Sequence, residues 1–274
     1  MNKNSNKGKI IFTGTGPGDP ELLTIKAARY LRQADVVITD RLVSEVILEN
    51  YVKKEALILH AGKQCRKGAS TPQVVINELL VDYALQGKLV VRLKGGDVSF
   101  FSNLLDELQA VSKYHIDYEI IPGITAASGA AAYAGLPLTA RGYSNAVRFL
   151  TYYKTDLLDN AYWQQLAETN DTLAFYMSSD TVDALVEKLL EYKIPADRHI
   201  AVIEQATTPM QNVYTSNIYE YSKKYRMKNY VSPTLIIIGK VVALQEQFQW
   251  LPNSNSDEFY FKPIEKNKKL EERA

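Results

Sequence analysis

A single cysteine, Cys65, leaves this 274-residue chain unable to close an internal disulfide, so its stability must come from packing. Cys65 lies between Lys63 and Arg66, but with no histidine nearby in sequence it reads as a spectator thiol. The three histidines, His60, His115 and His199, lie far apart and match no metal-ligand spacing, so no metal site is expected. Charge of one sign is also missing. Lysine and arginine number 32 against 31 aspartates and glutamates, a net charge of +1, which gives no global reason to expect nucleic acid or an acidic membrane as partner. No apolar run reaches the roughly 20 residues needed to span a bilayer. The most apolar late stretch, TLIIIGKVVAL, is cut by Lys240. The opening MNKNSNKGKI lacks the apolar core of a secretory signal, which points to a reducing cytoplasm.

What is present is a 46% hydrophobic composition, enough for one large domain or two modest ones. From Lys9 onward, short β-branched runs alternate with longer amphipathic stretches, the pattern of an α/β sheet covered by helices. KIIFTG reads as the first strand, and Leu22, Leu23, Ala27, Ala28 and Leu31 recur behind it at helical spacing. VVIT ends at Asp40 and ALILH follows. Ser70 and Gln73 have capping-box spacing, Pro72 suits a first turn and Gly87 stops that helix. LVVRL then runs into Gly95-Gly96-Asp97, and a helix over about 102–114, the strand YEII and a small-residue helix after Pro122-Gly123 complete the first half. The second half offers AVRFLTYY, TLAFYM, the helix TVDALVEKLLEY, IAVIEQA and TLIIIGKVV. No linker separates the halves and no repeat is seen. Two closely packed domains, 8–142 and 143–248, are expected, followed by a charged, solvated tail over 252–274.

The chemistry-bearing motifs sit at strand ends, where open α/β sheets place their ligands. Gly14, Gly16 and Gly18 follow a strand and precede a helix, so the missing Cβ atoms let backbone approach a ligand; a tight turn without a ligand is the competing reading. Pro17 removes an amide from that loop and argues against a phosphate cradle. Gly95-Gly96-Asp97 is a second such turn, with one carboxylate and no P-loop lysine and hydroxyl, and S-adenosylmethionine fits that description. Arg41, Lys63, Arg66, Lys67, Arg92 and Lys94 gather near strand ends of the first half, which suits a substrate with several carboxylates or else a solvated rim. Asp40 reads equally as a general base, a helix cap or a partner of Arg41.

Five stretches together resemble one family, the tetrapyrrole methylases: FTGTGPGDPELLTIKAARYLRQADVVITDRLVS, the pair Gly62-Lys63, VVRLKGGD, IPGITAASGAAAYAGLPLT, and FYM with EQATTPMQ. The likeness runs from about Lys9 to Val242, and RLKGGD is closest to members acting on uroporphyrinogen III. It implies two α/β domains, each a mixed sheet flanked by helices, with the cofactor in the interdomain cleft, and a homodimer. Carried over by position, S-adenosylmethionine would contact Pro17, Gly95, Gly96, Asp97, Phe100, Thr125, Ala126, Met177 and Ala206. Asp40 and Lys63 would serve as proton acceptor and donor. Arg41, Arg66, Arg92, Lys94 and Arg141 would meet the carboxylates of an anionic tetrapyrrole. The implied reaction is C-methylation of uroporphyrinogen III at two ring positions, giving precorrin-2 and S-adenosylhomocysteine.

The chain departs from the family pattern after Asp97, where VSFFSNLLDE replaces PFVFGRGGEE. TAR stands where the family has THR, and Tyr153-Lys154 where it has glycine and histidine. These changes bear on the substrate more than on fold or cofactor. A methylase of another tetrapyrrole or of a macromolecule, and a non-catalytic binding member, are the competing readings. The near-neutral charge disfavours RNA.

Overall fold

In a computed structural model of the chain, residues 7–62, 71–152 and 159–261 are described. They form two compact units, which divide at Thr125/Ala126, ahead of the 142/143 boundary read from sequence. The helix Ala126–Ala134 accounts for the difference, because its buried alanines pack on the second sheet.

The first unit runs β1 (Lys9–Gly14), α1 (Ile25–Leu31), β2 (Val36–Thr39), α2 (Glu45–Tyr51), β3 (Leu57–His60), α3 (Gln73–Leu85), β4 (Leu89–Lys94), α4 (Leu104–Lys113) and β5 (Asp117–Ile121). Its five strands are all parallel, in the order β3-β2-β4-β1-β5. Every strand therefore ends at the same edge. Alternation along the central strands sends Ile10, Phe12, Val36, Ile38 and Val90 towards α3 and α4, and Ile11, Val37, Val91 and Leu93 towards α1 and α2. Thr24 caps α1, its hydroxyl accepting from the Ala27 amide at 3.2 Å, and Gly87 ends α3 with φ +80°. The Ser70 cap expected for α3, and Lys63, Cys65, Arg66 and Lys67, lie outside the described residues.

The second unit contains α5 (Ala126–Ala134), β6 (Val147–Thr151), α6 (Asn160–Glu168), β7 (Thr172–Tyr176), α7 (Val182–Glu191), β8 (His199–Glu204), β9 (Asn212–Asn217) and β10 (Thr234–Gly239). Its strand order is β6-β7-β10-β8-β9. Only this sheet mixes directions: β6 and β7 are parallel, whereas β10 is antiparallel to both β7 and β8, and β9 to β8. Strands β6, β7 and β8 consequently point the same way. Ala127, Ala130, Ala131 and Ala134 let α5 lie close against Ala174, Ala201 and Ile237. The opposite face is covered by α6 and α7 around Trp163, Leu185, Val186 and Leu189.

Two features run against the sequence reading. β9, NVYTSN, carries no apolar run, yet it forms the edge strand beside β8. Residues 252–261, expected to be solvated, are tied along that edge by side-chain amides. Asn253 accepts from the Val213 amide at 2.8 Å and donates to its carbonyl at 3.0 Å. Asn212 donates to the Ser256 carbonyl at 3.0 Å and accepts from the Asn255 amide at 2.9 Å. Gln205 does the same with the Glu258 carbonyl at 2.8 Å and the Tyr260 amide at 2.7 Å. Each amide offers a donor and an acceptor, so it can imitate a neighbouring strand without any apolar periodicity.

On the outer edge of the first sheet, Glu119 of β5 gathers Lys9 of β1 at 3.0 Å, Lys26 of α1 and the Tyr30 hydroxyl at 2.6 Å. Hydrogen bonds from Lys26, Tyr30 and Lys9 hold its carboxyl well below the usual range, at about 2. A carboxyl depressed by folding stabilises the fold above its unfolded pKa, about 4.5, and that contribution is lost as pH falls through about 2. Glu119→Gln is therefore expected to lower the melting temperature at neutral pH and to flatten its fall between about pH 4.5 and about pH 2. Thermal melts across that range check this, and parallel curves for the two proteins would contradict it.

Candidate functional site

The carboxyl ends of the parallel strands carry the motifs. In the first unit the β1 and β4 loops lock onto each other: the Gly16 amide donates to the Gly96 carbonyl at 3.1 Å and the Gly96 amide to the Gly16 carbonyl at 2.7 Å. The segment after β5 closes on the same point. A Cβ built on Gly14 would lie 2.4 Å from the Gly96 oxygen and 2.8 Å from the Gly123 nitrogen, and one on Gly123 would lie 2.3 Å from that same oxygen. These glycines therefore hold three loops against one another, where the sequence suggested backbone approach to a ligand. Asp97 completes the lock. Its Oδ1 accepts from the Ser99 amide and its Oδ2 from the Gly123 amide, both at 2.7 Å. Pro17 is buried in this lock; Gly95 and Thr125 are half-buried beside it, and Phe100 is exposed.

The face that β2 and β4 present to α4 continues beyond its apolar residues into charge. After Val90 come Arg92 and Lys94, and after Ile38 comes Asp40. Arg92 and Lys94 are both almost fully buried. Arg92 donates through Nη2 to Asp40 Oδ1 at 2.5 Å, through Nε to Glu107 Oε1 at 3.1 Å, and through Nη1 to the carbonyls of Ile38 and Leu93. Lys94 donates to the same Glu107 oxygen at 2.9 Å and to the Ser102 carbonyl at 2.6 Å. Burial pushes the Arg92 guanidinium down, but the carboxylates of Asp40 and Glu107 outweigh it and hold the group above its ordinary value. For Lys94 burial wins, helped by the neighbouring guanidinium, and its pKa is lowered.

Arg92 and Lys94 were expected on a substrate-facing rim. The structure instead spends their donors inside the protein, because a cation on the inner face of a central strand must be met there. Asp40 is partly exposed, with 28% of its side chain accessible, at the open end of β2. Arg41 follows it, half-buried. Lys63 and Arg66 lie outside the described residues, as do Tyr153 and Lys154. Glu107 is the member that sequence reasoning missed. It falls three residues after Leu104 and four before Val111, on the face of α4 that packs into the core, and a charge at such a position is the signal.

In the second unit the matching strand ends are those of β7 and β8. Met177, directly after β7, has φ +55° and an exposed side chain; Gln205 and Thr207, directly after β8, have φ +46° and +65°. Left-handed backbone at non-glycine residues costs energy and persists where the surroundings impose it, commonly at ligand sites. Ala206 lies between the latter two, buried in the cluster that includes Tyr176 and the α5 alanines. The Tyr176 hydroxyl accepts from the Ala127 amide at 3.0 Å, which ties the start of α5, with Ala126, to the end of β7. The structure thus brings Ala126, Met177 and Ala206 to one edge. Arg141 lies in the exposed turn between the bridged residues Ala140 and Ser144. Among the described residues no group of histidine, cysteine, aspartate and glutamate could hold a metal, and no helix is long and apolar enough to cross a membrane.

A family model described as Tetrapyrrole (Corrin/Porphyrin) Methylases matches residues 9–222. Among curated proteins, the siroheme synthase of Acinetobacter baylyi is 44% identical over 245 residues, 89% of this chain and 53% of that protein. The siroheme synthase of Vesicomyosocius okutanii is 42% identical over 243 residues, 89% of this chain and 52% of that protein. The chain thus spans about half the length of the curated relatives it matches. Among solved structures, uroporphyrin-III-C-methyltransferase from Thermus thermophilus superposes with a TM-score of 0.72 at 31% identity, covering 90% of this chain and 98% of that one. A structure of that enzyme complexed with S-adenosyl homocysteine gives a TM-score of 0.69 at 29% identity, covering 86% and 94% of the two chains.

The three-loop lock makes a steric prediction. Gly123→Ala is expected to cost about 3 kcal/mol, since its methyl group meets backbone that cannot move aside. Gly142→Ala, with open space around it, should cost about 1 kcal/mol, from its left-handed φ alone. Urea denaturation of the two variants separates them; equal losses would show that the loops are free to spread.

Proposed function

Because the chain belongs to the tetrapyrrole (corrin/porphyrin) methylases, we propose that it uses S-adenosylmethionine to C-methylate uroporphyrinogen III at two ring positions, giving precorrin-2 and S-adenosylhomocysteine. The observation that carries this reading is the likeness to uroporphyrin-III-C-methyltransferase over 98% of that chain. The match to siroheme synthases agrees with it.

The donor set at the strand ends suits the cofactor. Lys94 is committed to Glu107 and the Ser102 carbonyl, so the GGD turn offers no ammonium to a phosphate, in keeping with a cofactor that carries none. The contacts assigned to it in the first unit are Pro17, Gly95, Gly96, Asp97, Phe100 and Thr125. Asp97 acts there by holding the loops in shape, since both its oxygens take backbone amides. The contacts assigned in the second unit are Ala126, Met177 and Ala206. S-adenosylmethionine supplies a methyl group on a sulfonium, open to in-line attack by an electron-rich pyrrole carbon.

The protein's own work is orientation, exclusion of water and proton handling. Asp40, partly exposed and held through one oxygen by Arg92, is the proposed acceptor of the proton the macrocycle loses after methylation. Lys63 is the proposed proton donor. Arg41, Arg66 and Arg141 are proposed to pair with substrate carboxylates. Arg92 and Lys94 leave that set and act on Asp40 and the turn. A second reading, methylation of a different tetrapyrrole, draws on the VSFFSNLLDE segment, whose Phe100 and Phe101 are exposed.

Anaerobic incubation with S-adenosylmethionine and enzymatically generated uroporphyrinogen III, followed by macrocycle mass and S-adenosylhomocysteine release, tests the proposal. A gain of two methyl groups is expected, slowed about a hundredfold in Asp40→Asn by loss of the base. Cofactor binding without any methyl gain would favour the second reading.

A further inference from the structure

Building on the function proposed above, we propose that Glu107 is a positioning residue for the reaction. A single buried carboxylate oxygen orients Asp40 through Arg92 and, through Lys94, fixes the turn that follows β4.

Glu107 has no solvent exposure, and its Oε1 receives Arg92 Nε at 3.1 Å and Lys94 Nζ at 2.9 Å, with the Gln73 amide at 3.5 Å. Its Oε2 is buried and accepts no hydrogen bond among the described residues. A carboxylate placed only to neutralise two cations would do so best with one on each oxygen. Here both converge on one, and each carries the constraint onward to a different motif.

The first branch ends at Asp40. With Nε on Glu107 and Nη1 on the carbonyls of Ile38 and Leu93, the guanidinium plane is fixed, and Nη2 reaches Asp40 Oδ1 from one direction. The second branch ends at Ser102. The Lys94 ammonium holds the Ser102 carbonyl at 2.6 Å, and the Ser102 hydroxyl donates back to the Val98 carbonyl. Ser102 lies between Phe101 and Asn103, with φ values of +54° and +56°, a left-handed backbone that asparagine tolerates but that is costly for the bulky Phe101. The ammonium thus pins the strained segment that continues directly from Gly95-Gly96-Asp97. One carboxylate therefore couples the proposed base to the proposed cofactor turn.

The test uses Glu107→Gln, Asp40→Asn, their double variant and Lys94→Met in the full chain. Val111→Ala, in the same helix and buried in the same core, serves as a control for lost stability. Three quantities are read: amide hydrogen exchange over residues 98–103, S-adenosylhomocysteine affinity by calorimetry, and single-turnover methyl transfer to uroporphyrinogen III. Glu107→Gln and Lys94→Met should both speed exchange and weaken the ligand, whereas Val111→Ala should do neither. With S-adenosylmethionine saturating, so that the turn branch no longer limits the rate, Glu107→Gln should slow methyl transfer about tenfold or more in the otherwise native chain and add little in the Asp40→Asn background, because the remaining effect passes through Asp40. Should Glu107→Gln fail to fold, Glu107→Asp, which keeps the charge and shortens the reach, is read in the same way.

The proposal is overturned if Glu107→Gln loses stability like Val111→Ala with unchanged exchange and affinity, or if its rate loss multiplies fully with that of Asp40→Asn. If the wild-type chain transfers no methyl group, the function proposed above fails on its own. Exchange and affinity still decide the role of Glu107 in the turn.

Discussion

A carboxylate sealed from water inside an α/β unit costs several kcal/mol unless its charge is met where it stands, and Glu107 is met by two cations from the middle strand of the sheet. Those cations would be as costly without it. The consequence reaches beyond stability, because none of the three groups can move independently. Arg92 is anchored in β4, which is hydrogen-bonded on both sides, and Glu107 is anchored in α4, whose Leu104, Leu108 and Val111 pack on that sheet. The position of Asp40 and the path of the chain after Asp97 both follow from this junction of strand and helix.

The glycine lock is the second constraint, and it is purely steric. Three loops leave three parallel strands at the same edge, and they meet at distances that exclude even a methyl group. Asp97 then supplies the polar half of the junction, taking one amide from its own turn and one from the loop after β5. Stiff loops are costly to form and useful once formed, since a ligand bound there pays little further ordering entropy. The same logic applies in the second unit. There, left-handed Met177, Gln205 and Thr207 are held by their neighbours and not by glycine.

The strands were readable because strands buried on both faces are written as continuous β-branched runs, whether parallel as in KIIFTG, VVIT and LVVRL or antiparallel as in TLIIIG, and all four appear where those runs stand. The strand ends were readable for the same reason, which is why Asp40 and the GGD turn could be placed there from sequence, whereas Met177 and Ala206 were named only through the family resemblance. What could not be read is what each polar group faces. Arg92 and Lys94 look like rim cations by their closeness to a turn, but strand alternation puts them on the inner face behind Val90, opposite a glutamate some way along the chain. That pairing is a matter of tertiary register, and no local pattern encodes it. β9 and residues 252–261 escaped notice for a different reason. β9 has a backbone ladder to β8 but no apolar run to mark it, and the segment after 252 is held by asparagine and glutamine amides bonding backbone, residues commonplace in solvated loops.

The segment after Asp97 brings these points together. Where VSFFSNLLDE replaces PFVFGRGGEE, the family's glycines fall opposite Ser102, Leu104 and Leu105, and this chain places Phe101 and Asn103 in left-handed backbone, a conformation that is costly for a bulky residue such as Phe101. Such a backbone path persists only if something holds it, and Lys94 does so by fixing the Ser102 carbonyl between the two residues. The glycine lost at position 102 is replaced by a serine whose hydroxyl returns to the Val98 carbonyl, so Ser102 is held from both its carbonyl and its side chain. The same path leaves Phe100 and Phe101 exposed beside the turn.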